Sequence, residues 1–67
     1  MKAVKLSSLK KGDFFTLKPI EEPTEKQVYV RDDYDRSLKK YDSHKFTNVS
    51  SSHFFKGDKI VYVDFFF

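Results

Sequence analysis

Apolar residues in this chain recur with a period of two, and nowhere do they hold the i, i+3, i+4, i+7 spacing of an amphipathic helix for more than about two turns. In DFFTLK, Phe15 and Leu17 fall on one side of the alternation and Phe14 and Thr16 on the other. QVYVR sets Val28 and Val30 against Tyr29 and Arg31. KIVYVDFFF sets Val61, Val63, Phe65 and Phe67 against Ile60, Tyr62, Asp64 and Phe66. A strand buries every second side chain, so such segments form a core only by stacking sheet faces on one another.

Length sharpens that constraint. A single domain of 67 residues buries only about 60% of the surface its unfolded chain exposes, and the chain has no cysteine for a disulfide. The core has to come from side-chain volume, which eight Phe and four Tyr supply. Cysteine-free composition fits a reducing compartment. The opening MKAVKLSSLKKGD carries lysines without an apolar run of leader or membrane-span length, so a cytoplasmic location without a membrane is expected.

Turn chemistry separates the strands. KPIEEPTEK, Lys18 to Lys26, contains both prolines and three glutamates and reads as a flexible exposed loop. RDDYDRSLKK suits a hairpin loop of four or five residues, since it lacks the glycine of a tight primed turn. TNVSSSH, Thr47 to His53, reads as a polar turn, with a single helical turn as the alternative. LKKGDFF and FFKGDKI each place Gly-Asp just before a strand, where glycine permits a positive φ and the aspartate accepts a nearby N–H. The expectation is one all-β domain over residues 1–67, a small antiparallel five-stranded SH3-like barrel. Its final strand pairs with an early one and brings phenylalanines into the core. Alternation puts Phe66 on the opposite side from Phe65 and Phe67, leaving at least one outside.

The run from Tyr41 resembles the C-terminal part of small uncharacterised proteins of intestinal bacteria and their phages. The similar positions are Tyr41, Lys45-Phe46, Lys56-Gly57-Asp58-Lys59, Val61 and Asp64-Phe65. That resemblance implies a compact β domain and contributes no function. Leu9 to Asp13 also looks like the first turn of SH3-like barrels, an analogy of fold alone.

No motif carries catalytic or metal chemistry. Asp33, Asp35 and Ser37 open a calcium-loop spacing, but Leu38 stands where glycine is required and His44 where a bidentate glutamate is required. Asp42, Ser43 and His44 are adjacent, yet on a strand the serine points away from the other two. His44 and His53 lack the further ligands of a zinc site. Asn48-Val49-Ser50 is a glycosylation acceptor only in a secreted protein. With only Gly12 and Gly57, no glycine-rich loop exists to cradle a phosphate. No enzyme, cofactor or metal is expected.

Two surfaces remain. Tyr29 and Arg31 share one strand face, and Lys39, Tyr41 and Lys45 share a face of the next. If the faces coincide, tyrosines for base stacking sit among cations for phosphates. The net charge is +3, and its surplus lies in residues 1–20, with five lysines, Lys10 and Lys11 included, against Asp13. That suits nucleic acid, but a charge of this size also serves only solubility. The plainer account makes the tyrosines core residues at an edge and the cations a solvated face interspersed with Asp32, Asp33 and Asp42. The other surface is the C-terminal strand, where Phe65, Phe66 and Phe67 would meet a protein partner or a second copy. A protein-interaction module is therefore the leading expectation, and a small barrel binding single-stranded nucleic acid the alternative.

Overall fold

The computed structural model describes residues 1–67, which form six antiparallel strands and two short 3-10 turns. The strands are β1 (Lys2–Lys5), β2 (Phe14–Phe15), β3 (Tyr29–Asp35), β4 (Lys40–Lys45), β5 (Asn48–Phe55) and β6 (Ile60–Val63), with the turns at Leu6–Ser8 and Glu25–Gln27. No helix is long and apolar enough to cross a membrane.

β2, β3, β4 and β5 follow one another in a four-stranded meander, and β6 returns to pair with β1 from Lys2↔Val63 to Lys5↔Ile60. The two sheets are tied by a bridge just beyond β2, where Thr16 and Tyr62 exchange both backbone hydrogen bonds at 3.0 Å. The expected five-stranded barrel is thus corrected to six strands in two sheets with no closure. β1 pairs only with β6 and β5 only with β4, whereas a barrel requires every strand to be paired on both sides.

The extra strand comes partly from TNVSSSH, of which Asn48 to His53 are extended within β5 and only Thr47 lies in a turn. Its hydroxyls accommodate an irregular pairing with β4: the Lys45 N–H donates to Ser51 Oγ at 3.2 Å, and that hydroxyl donates to the Asn48 carbonyl at 3.0 Å. The turn shrinks to Phe46 and Thr47. Between β3 and β4 the four-residue loop Arg36 to Lys39 matches the expectation. Asp35 Oδ1 accepts the N–H groups of Ser37 and Leu38 there, which replaces the missing glycine with a side-chain-stabilised turn.

Leu6, Phe15 and Val61 are fully buried at the centre, with Val4, Leu9, Leu17, Tyr29, Tyr41, Phe55 and Val63 packed around them. Pro23 and Val28 are also buried but lie outside this cluster. The terminal phenylalanines do not supply the core. Asp64 has φ +58°, a left-handed conformation that aspartate tolerates better than most residues, and it ends β6 at Val63. Alternation stops there, leaving Phe66 77% and Phe67 52% exposed. The tail instead folds back on the proline-containing segment, where the Phe66 N–H donates to the Glu21 carbonyl at 2.8 Å. That segment holds the Glu25–Gln27 turn, whose start is closed by the Thr24 N–H donating to Gln27 Oε1.

Candidate interaction surfaces

The β3–β4 register sets Tyr29 opposite Lys45, Arg31 opposite Ser43 and Tyr34 opposite Tyr41. Directly opposed residues share a sheet face, so Tyr29, Arg31, Tyr41 and Lys45 come together on one side. Arg31 carries its guanidinium carbon 4.4 Å above the Tyr41 ring, and the Tyr34 and Tyr41 rings are 4.8 Å apart. Lys39 does not join them: it occupies the hairpin loop with φ 55°, exposed and outside β4. Lys10 and Lys11 lie in the first Gly-Asp turn, where the Lys10 N–H donates to Asp13 Oδ2 and the Lys11 ammonium is 3.1 Å from the Asp33 carboxylate. Both side chains of that ion pair are mostly exposed, so it contributes little.

The rings on this face are turned toward the core. Tyr29 stacks on Phe15 with centroids 5.7 Å apart and meets Phe55 and His53 edge-on. Tyr41 lies between Arg31, Tyr34 and the backbone at Gly57. A Cβ at Gly57 would stand 3.0 Å from the Tyr41 ring and 3.2 Å from Ser7 Cβ, so this glycine serves close approach and not the positive φ expected of it. Gly12 does adopt a positive φ, +93°.

Neighbours in sequence are split between the faces. Ser43 is fully buried opposite Arg31, while the His44 imidazole pairs through Nδ1 with the Asp32 carboxylate. Asp42, Ser43 and His44 therefore assemble no catalytic trio. His53 pairs with Ser43 and faces the core side, so the two histidines sit on opposite faces. Nowhere do three or more His, Cys, Asp or Glu gather closely enough to hold a metal ion.

The opposite face of the meander holds an aromatic cluster. Phe14 and Phe46 meet edge-to-face at 5.5 Å, Phe14 and Phe67 at 5.8 Å, and Phe46 and Phe67 at 4.9 Å. Phe65 adjoins through Phe67 at 6.4 Å. These rings pack on one another, yet Phe14 stays 42%, Phe46 38% and Phe67 52% exposed. Phe14 and Phe46 escaped the sequence reading. Alternation did set Phe14 against Phe15; what it lacked was the fold-back at Asp64 that carries Phe67 onto them.

β6 pairs with β1 on one side, as expected of the final strand with an early one, and meets Thr16 through Tyr62 on the other. The free edges belong to β1 and β5. No family model, curated protein or solved structure matches the chain.

Proposed function

We propose that this chain is a non-enzymatic β module for protein–protein interaction, whose contact surface is the Phe14, Phe46 and Phe67 cluster. The observation that carries the reading is that three mutually packed phenylalanines remain substantially exposed on one side of so small a fold. Edge-to-face packing holds the rings in place before binding, so a partner's apolar anchor gains area without the cost of ordering them. The partner implied is a protein with an aliphatic or aromatic projection. A cytoplasmic setting suits a chain without cysteine, and the SH3-like relation remains an analogy for the meander and returning final strand. Resemblance to small intestinal bacterial and phage proteins adds a setting but no activity.

The test is a photo-crosslinking side chain in place of Phe67, used in cells that make the protein. A discrete adduct is expected, diminished when Phe46→Ser is combined with the crosslinker. A diffuse ladder unaffected by Phe46→Ser removes the surface from consideration.

A second reading, binding of single-stranded nucleic acid, is favoured by the Arg31–Tyr41 stack with Tyr29 and Lys45 on the same face. It ranks lower because Tyr29 is engaged with Phe15 and because Asp32 and Asp42 lie on the same strands. Amide shifts at Arg31, Tyr41 and Lys45 on adding a mixed oligonucleotide, fading as salt rises, would promote it.

A further inference from the structure

A cavity of about 220 Å³ opens where the chain leaves β2 for the proline-containing segment, lined by Leu17, Lys18, Ile20, Lys26, Gln27 and Tyr29. Its walls are apolar. Leu17 and Ile20 are half-buried, and the Tyr29 ring is held by its stack on Phe15. Its polar side chains are kept as donors by hydrogen bonds made elsewhere. The Lys18 carbonyl accepts from the Thr16 hydroxyl at 2.7 Å and from the Ile20 N–H at 2.9 Å, which fixes the turn that presents Lys18 and Ile20. Gln27 Oε1 accepts from the Thr24 N–H at 2.9 Å, so the acceptor end of that amide is engaged and its NH2 group is left over. Neither the Lys18 nor the Lys26 ammonium is paired with a carboxylate, although Glu21, Glu22 and Glu25 belong to the same segment. None of those glutamates lines the cavity.

We propose that this cavity binds a small amphipathic anion, an oxyanion head on a short apolar body. Charge selects the head. Two unpaired ammoniums and a free amide NH2 border one space with no carboxylate among them, so an anion gains donors there while a cation meets two like charges. Lysine stems are long enough to lie along an apolar ligand while their ammoniums reach its head. Size selects the body. The cavity is smaller than the roughly 300–1,000 Å³ of sites for drug-sized ligands, which leaves room beside Leu17, Ile20 and Tyr29 for a chain of only a few carbons. No residue of the Phe14, Phe46 and Phe67 cluster takes part, so the inference stands independently of the interaction surface.

Amide shifts of the labelled full chain on titration with hexanoate test the site. Shifts confined to the lining residues and their chain neighbours, saturating in roughly the millimolar range, are expected. Lys18→Gln combined with Lys26→Gln should weaken binding by about tenfold, with the melting temperature unchanged because both side chains are exposed. Hexanol lacks the head and acetate lacks the body, and each should bind at least about tenfold more weakly than hexanoate. Hexyl phosphate distinguishes a phosphate head from a carboxylate, and saturation by either anion at these residues supports the inference. Shifts that never saturate, or that spread equally to Lys2, Lys5 and Lys10, overturn it. Hexanoate binding that survives the double substitution unchanged, or that hexanol matches, overturns it as well.

Discussion

Single residues in this fold serve two kinds of backbone demand. Gly12 and Asp64 sit at positive φ, and Gly57 lets the chain pass beneath the Tyr41 ring. Gly57→Ala forces a methyl to within 3.0 Å of that ring and 3.2 Å of Ser7 Cβ. Since neither neighbour hangs free at the end of a long side chain, a loss of about 1–3 kcal/mol is expected from overpacking. Urea unfolding measures it, and an unchanged midpoint would mean that the Tyr41 ring swings aside. The sequence announced both Gly-Asp turns but assigned them one cause. Only contact with Tyr41, sixteen positions away, separates the second from the first.

Elements follow the alternation until a local device stops it. β6 ends because Asp64 reverses the backbone, and the three phenylalanines after it become a tail across the outer face. Deleting Phe65 to Phe67 removes the Phe66–Glu21 hydrogen bond and exposes Phe14 and Phe46 further. It leaves the Leu6, Phe15 and Val61 core in place. The truncated chain is therefore expected to fold, losing on the order of 1–2 kcal/mol, with amide spectra of β1 to β4 nearly unchanged. A collapsed, unfolded spectrum would place the tail back in the core. β5 presents the converse case, for its serines lack strand propensity and their extension depends on pairing with β4. A pattern read within one segment has no access to that partner.

At the scale of the whole molecule the fold depends on very few side chains. Only four hydrophobic residues are fully buried, Leu6, Phe15, Val28 and Val61, and a domain of this length is stable by only about 3–10 kcal/mol. Tyr29 joins the centre to the meander through Phe15, His53 and Phe55. Tyr29→Ala should cost about 3 kcal/mol and lower the melting temperature by at least about 12 °C in a domain of this size, as read by differential scanning calorimetry. A change of a degree or two would make Tyr29 a free stacking platform and favour the nucleic-acid reading. The all-β class, a hairpin loop of four or five residues within RDDYDRSLKK and the union of the last strand with an early one were legible in the sequence, while the place of that loop after Asp35 was not. Each follows from local periodicity or from the turn chemistry of adjacent residues. Shared placement of Tyr29, Arg31, Tyr41 and Lys45 was visible as a condition, and the β3–β4 register met it. The openness of the sheets, the identity of the free edge and the meeting of Phe14, Phe46 and Phe67 were decided only in three dimensions. They depend on which strands find a second partner, as at the Thr16–Tyr62 bridge, and on one reversed backbone position, because long-range pairing leaves no mark in the spacing of residues along either strand.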